Sequence, residues 1–386
     1  MAAYPDLDED DIEYLQSRIS DQESLAMVIE RLEEVVRSIA EPPSKGIEMA
    51  EEAPVRYVNT GFASQATPAE LNKSFHTPLA AGQPCYFWLQ IGALMAEGMA
   101  QEGIALPTDK LPPEARLTIA LFAYDGEIEL TGAETGEIQL APEGNIKVTR
   151  RAAEPAGVPA TILDERLYFA VRTMTGEAYG RLRCNIYYQN NLVQSHLIVA
   201  RVAAAPAEQP YRMLWHTSDY TLSKSLDSEQ LVAMGENVLS VMVNNNGNGS
   251  HGFRFMGKNE FKNDATLTAG AIDQLQDWTR GALRKAAWGD EEEYKSGKKY
   301  LYGSQLDMKK LKADLLNMAI NGVDAYDSLI DTLTGDYDQS EALKQMMRQP
   351  GQVQIANKEA AQLVVPAAMF YDYPFLRGNV PEDQPP

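Results

Sequence analysis

Cysteine and histidine are scarce in this chain, two and four in 386 residues, and their scarcity removes whole classes of chemistry. Two cysteines about a hundred positions apart make no disulfide framework, and four histidines without paired spacing make no zinc site. Long apolar runs are missing as well, for none approaches the roughly 20 residues that a helix needs to span a bilayer. The opening residues, Met1-Ala2-Ala3-Tyr4-Pro5-Asp6-Leu7-Asp8-Glu9-Asp10-Asp11, are acidic where a secretion signal has a basic start and an apolar core. Positive charge is short too: 34 Lys and Arg stand against 55 Asp and Glu, net −21. That balance argues against a nucleic-acid binder working by phosphate neutralisation. The expectation is a cytoplasmic protein with no metal, no cofactor, no membrane contact and no nucleic-acid partner.

What is present is enough apolar material, 44% of the chain, to fill at least two cores of ordinary domain size. Residues 1–54 hold fifteen acids against four bases, a balance of −11. This stretch reads either as a solvated helical arm or as an acidic docking arm for a basic partner. Within it Ser20-Asp21-Gln22-Glu23 has the form of a capping box. Leu25, Val28, Leu32, Val35 and Ile39 then follow at helical spacing, giving one apolar stripe, and Pro42-Pro43 ends the helix. The stripe packs either on the body of the protein or on a partner chain.

From residue 55 to 203 the pattern changes to strands: 57–62, 85–91, 117–124, 137–140, 146–148, 167–173, 182–188 and 192–202. Short β-branched and aromatic runs separated by Gly, Pro and Asn, with no helical period between them, predict an immunoglobulin-like β-sandwich. Gln189-Asn190-Asn191 is a hairpin turn, since asparagine tolerates positive φ. Residues 203–210 read as a linker. Beyond it, in a predicted domain over 211–375, strands at 238–243 and 252–256 precede helices at 271–287, from Asp307 onward, and at 339–347. A last strand carries Val353 and Ile355. Strands separated by helices point to an α/β layer, so the fold class is α+β and multidomain, ending in a polar, Pro-rich tail over 376–386.

Few residues offer chemistry. A cysteine nucleophile needs partial exposure, a base and an electropositive setting. Period two puts Cys85 with Phe87, Leu89 and Ile91 on an apolar face, and Cys184 with Leu182 and Ile186, so both read as core. His251 closes a polar loop without an acidic partner nearby; His76, His196 and His216 have weaker claims. The loop 244–251 lacks the carboxylates of a calcium hand and the lysine of a phosphate loop, and reads as a hairpin turn. Asp290-Glu291-Glu292-Glu293, followed by Lys295, Lys298 and Lys299, reads as a solvated helix end. Tyr86 and Trp88, side by side on the face opposite Cys85, are the sole support for an aromatic ligand platform.

Several strings together resemble one bacterial family: Asn59-Thr60-Gly61-Phe62, Arg181-Leu182-Arg183-Cys184-Asn185-Ile186-Tyr187, His251-Gly252-Phe253-Arg254-Phe255, Phe261-Lys262-Asn263-Asp264-Ala265, Arg280-Gly281-Ala282-Leu283, and Pro366-Ala367-Ala368-Met369-Phe370-Tyr371-Asp372-Tyr373-Pro374. They are similar to proteins carrying a CHAT domain, a caspase-like peptidase module preceded by a β-rich region. The resemblance implies that 211–375 is a partial caspase-like α/β domain. In that family the catalytic histidine and cysteine lie downstream of the last string, so no catalytic residue carries over to this chain. The expectation is a non-catalytic regulatory, sensing or scaffold half of a peptidase system, in bacterial defence or stress signalling. The alternatives are the front part of a full-length cysteine peptidase and an unrelated sandwich that binds a ligand. The apolar cluster at Val364, Val365, Phe370, Tyr371 and Tyr373 is the expected interface for a protein partner, either a catalytic chain or a second copy.

Overall fold

The structure, a computed structural model, describes residues 55–70, 75–100, 102–141, 144–222, 226–246, 248–303, 305–358 and 370–372. The expected acidic arm, with its capping box and stripe, and the polar tail lie outside the described residues.

Among the described residues, fifteen strands and five α-helices make a mixed α+β protein with three sheets. The first sheet has the order β1 (Tyr57–Ser64), β3 (Pro84–Gly92), β8 (Leu167–Arg172) and the short β5 (Glu129–Leu130). The second has the order β11 (Leu214–Thr221), β10 (Asn191–Ala203), β9 (Tyr179–Tyr188), β4 (Arg116–Ala123), β6 (Thr135–Leu140) and β7 (Ile146–Arg150), with β2 (Leu79–Ala80) running parallel to the end of β10. The two face each other across one core. Phe62, Phe87, Leu89 and Ile91 of the first meet Leu117, Ile119, Leu121, Leu182, Cys184 and Ile186 of the second. The alternation that assigned Cys85 and Cys184 to apolar faces holds. The β9–β10 turn is as expected, with Gln189 and Asn190 both at positive φ, 49° and 58°, the two-residue geometry that matches strand twist.

The aromatic platform needs correction. Tyr86 and Trp88 do point away from the shared core, but Trp88 is fully buried beneath Val158, Leu163 and Tyr168. The cover comes from helix α1 (Ala160–Glu165) and from the Arg166 guanidinium, 4.9 Å from the Trp88 ring. Its indole also fills the space over Gly61, where a Cβ would come within 2.5 Å of Trp88 Cζ2.

The segment 203–210 does not join two bodies. It leads into β11, which pairs antiparallel with β10, and then to helix α2 (Ser228–Met234). Leu214, Leu222 and Leu231 drop into the shared core. β11 is a polar edge strand (Thr217, Ser218, Asp219), so its period carries no apolar face that sequence patterning can detect.

The third sheet, order β14 (Lys262–Leu267), β13 (His251–Gly257), β12 (Leu239–Asn245) and β15 (Val353–Asn357), has β15 parallel to β12 and the other neighbours antiparallel. Three helices intervene before β15: α3 (Ala269–Trp288), α4 (Met308–Thr334) and α5 (Tyr337–Met347). Thr268, Asp307 and Asp336 accept hydrogen bonds from their first-turn amides, the usual satisfaction of orphan donors. Alternation gives this sheet two apolar faces. Leu239, Val243, Phe253 and Phe255 pack under Tyr326, Ile330, Leu333 and Leu343 of the helices. Met242, Met256 and Ala356 face the other way, onto Ala120, Phe122, Tyr187 and Leu192 of the second sheet. The described body is thus a stack of first sheet, second sheet, third sheet and helices.

Candidate functional site

Neither cysteine is available for chemistry. Burial pushes the Cys85 thiol up to about 12 and raises Cys184 as well, because a thiolate loses its hydration in an apolar interior. His196 and His216, which sequence patterning gave little weight, come together in the core. His216 Nε2 and His196 Nδ1 are 2.9 Å apart, and His216 Nδ1 is 2.9 Å from Thr60 Oγ1. This chain of polar groups links β1 of the first sheet to β10 and β11 of the second. His196 also stands directly opposite Cys184 in the β9–β10 register. Burial, reinforced by the Arg183 charge, lowers His196 to about 3; burial and then the neighbouring ring hold His216 well below its ordinary value. Neutral rings beside a neutral thiol, all buried, brace the core and present nothing to substrate.

The loop after β12 is a hairpin turn. Asn244, Asn246, Asn248 and Ser250 bond to one another across it. The acidic run after α3 is neutralised locally: Asp290 pairs with Lys298 at 2.6 Å, Glu292 with Lys295 at 2.7 Å and Glu293 with Arg284 at 3.3 Å. Among the described residues no cluster of His, Cys, Asp and Glu could hold a metal ion.

The strongest candidate for a function is the outer edge of the third sheet. Among the described residues β15 pairs with β12 alone. Val353 and Ile355 are 40% and 69% exposed, on the face turned towards the helices. Beside them lies an apolar groove of about 360 Å³, walled by Val241, Phe253, Leu329, Leu333 and Met347.

The opposite face of the same strand is fastened to the second sheet. Gln354 Oε1 accepts from Leu192 N and Ser240 Oγ, both at 2.6 Å, and Gln354 Nε2 donates to Leu192 O at 3.3 Å and Tyr220 Oη at 3.4 Å. Lys358, one residue past β15, lies 3.3 Å from Asp219. Asp219 in turn accepts two parallel bonds from Arg183, at 2.8 and 2.9 Å, the fork geometry that makes arginine–carboxylate pairs strong. The edge is therefore positioned by the sheet behind it.

Of the expected interface residues, Val364, Val365 and Tyr373 lie outside the described residues. Phe370 lines the groove and packs on the helix-side core, and Tyr371 N donates to Gly322 O at 3.3 Å. Gln354 and Asp219 have no signature in the sequence, since a glutamine in a strand and an aspartate in a polar stretch carry no spacing signal.

A curated protein of Vitiosangium sp. (strain GDMCC 1.1324), named as a probable protease, is 35% identical over 332 residues, 83% of this chain and 42% of that protein. The chain thus spans about two fifths of that relative's length. No family model and no solved structure matches the chain. No described helix is long and apolar enough to cross a membrane.

Proposed function

We propose that this chain is the non-catalytic regulatory or scaffold half of a caspase-like peptidase system of the CHAT type. The observation that carries the reading is the placement of both cysteines, the only two in the sequence, deep in the sheet core of a chain similar to a probable protease. General-base activation of a thiolate needs an accessible sulfur, and neither site offers one.

The order β1-β3-β8-β5 facing β11-β10-β9-β4-β6-β7, with β11 as an added strand outside β10, supports an immunoglobulin-like reading of the front layers. It follows the A-B-E-D against G-F-C-C′-C″ arrangement, except that β5 precedes β6 and β7 in the chain. Support for a partial caspase-like layer is the return of β15 beside β12, in parallel, after three helices. In this reading the stacked sheets hold the β15 edge in place for a protein partner.

The relative's length favours a second reading, in which these residues are the non-catalytic portion of one longer peptidase chain. Reading the gene beyond codon 386 separates the two. Purified protein assayed on a fluorogenic peptide library should show no turnover, and a thiol reagent should label native protein far more slowly than denatured protein. Turnover that disappears in Cys184→Ala would sink both readings of this fold as non-catalytic.

A further inference from the structure

Asparagine is a thermolabile residue, most so before glycine, whose bare Cα lets the next backbone nitrogen approach the side-chain amide. Asn-Gly occurs three times in the sequence, at Asn246, Asn248 and Asn321, and the fold treats the three differently. Asn321 lies midway along α4, where Gly322 is buried and its nitrogen is committed to the helical ladder. Asn246 is half-buried and held at four points. Its Oδ1 accepts from Asn244 Nδ2 at 2.8 Å and its Nδ2 donates to Ser250 Oγ at 3.0 Å. Its N donates to Ser250 O at 3.0 Å and its O accepts from Arg181 Nη1 at 3.3 Å. Asn248 and Gly249 are both exposed, with Gly249 at a φ of 83°. Nothing among the described residues accepts from Gly249 N. Asn248 Oδ1, by contrast, accepts twice, from Ser250 N at 3.1 Å and from Ser250 Oγ at 2.7 Å. Because Asn246 Nδ2 can only donate, the Ser250 hydroxyl accepts from it and turns its own proton towards Asn248.

We propose that Asn248 is a site of spontaneous, backbone-assisted deamidation, converting to aspartate and isoaspartate in the native protein. Gly249 N, on losing its proton to solvent, attacks Asn248 Cγ. A C–N bond forms and negative charge gathers on Oδ1, where two donors already point. Collapse expels Nδ2, which takes a proton from water and leaves as ammonia, and a five-membered imide remains. Water then adds to one of the two imide carbonyls. Breaking the bond from Cγ to Gly249 N restores the ordinary main chain with aspartate at the position. Breaking the bond from the main-chain carbonyl carbon to that nitrogen leaves the chain running through the side chain, as isoaspartate. The sum is one water consumed and one ammonia released, with no oxidant or reductant. Either product adds a carboxylate to a chain already at −21. The isoaspartyl form lengthens the β12–β13 loop by one methylene, which a surface connection absorbs at small cost. The site involves neither cysteine and bears on neither reading of the chain's role in a peptidase system.

The test incubates the full chain for days in mildly alkaline buffer made with heavy-oxygen water, so that each new event leaves one heavy oxygen behind. Peptide mapping with electron-transfer fragmentation then reads aspartate and isoaspartate at Asn246, Asn248 and Asn321. In the native chain Asn248 should convert at least roughly tenfold faster than either of the others. The three rates should draw together when the chain is unfolded in guanidinium, because only the fold separates them. Ser250→Ala removes the hydroxyl donor at Asn248 and releases Asn246 Nδ2, so it should slow the first site and quicken the second. The proposal is overturned if Asn248 stays intact in the native chain or converts no faster than Asn321. It is overturned equally if the preference for Asn248 survives unfolding, which would assign it to local sequence alone. Should the Ser250 variant fail to fold, the comparison of native with unfolded unaltered chain still decides.

Discussion

At the scale of residues the most consequential feature is the pair of neutral histidines in the core. In an unfolded chain both rings titrate near their ordinary value of about 6.5, while in the native protein burial holds both far lower. Below about pH 6.5 the unfolded state therefore binds protons that the native state refuses. Stability rises with pH wherever the unfolded state binds more protons, so it must fall as the pH drops below that value. The slope is about 1.4 kcal/mol per pH unit for each ring. Urea denaturation should show a lower midpoint at about pH 5.5 than at pH 7.5, and the double variant His196→Gln, His216→Gln should flatten that dependence. An identical slope in the variant would mean that the rings already titrate in the folded state. Neither ring's pairing was legible in the sequence, because twenty positions separate them and only the β10–β11 register brings them together.

At the scale of elements, the strands and long helices were readable because each carries a strong period. Leu117 to Phe122, Leu182 to Ile186 and Val353 with Ile355 alternate, while α4 repeats apolar residues along one stripe. What stayed hidden was each element whose face is polar, such as β11, and each contact between outer faces. The period of β15 tells which residues share a side; it does not tell that the Gln354 side meets another sheet. Gln354 is also the residue whose loss should be felt most along that element. Gln354→Leu would leave the Leu192 amide buried without its side-chain acceptor, while the Ser240 hydroxyl keeps the Asn190 carbonyl, at a cost of about 1–3 kcal/mol. Hydrogen exchange over residues 353–357 should quicken in this variant. Exchange as slow as in the unaltered protein would show that β15 is held by its ladder to β12 alone. Gly61→Ala tests the first sheet in the same manner. Its new methyl has no room beside Trp88, and overpacking of this kind costs about 1–3 kcal/mol, readable as a lowered urea midpoint.

At the scale of the whole described body, the second and third sheets meet through an apolar cluster with ion pairs around it. A modest apolar cluster around Phe122 and Met242 is flanked by Arg183 with Asp219, by Arg254 with Asp264 at 2.6 Å, and by Lys262 with Glu134. Paired buried charges add little net stability, yet removing one partner strands the other and costs about 3–5 kcal/mol. Asp219 is the sharpest place to test this, since it holds Arg183 of the second sheet and Lys358 beyond β15 at once. If that junction binds the layers into one cooperative unit, Asp219→Ala should lower the urea midpoint of every layer together. Exposure of Cys85 and Cys184 to a thiol reagent reports the front sheets, and far-ultraviolet circular dichroism reports the helices. The two curves should coincide in the unaltered protein and shift by the same amount in the variant. Should the helical signal keep its midpoint while thiol exposure moves, the helices and third sheet unfold on their own. The sandwich would then have no mechanical hold on the β15 edge, and a scaffold that positions that edge for a partner would lose its physical basis.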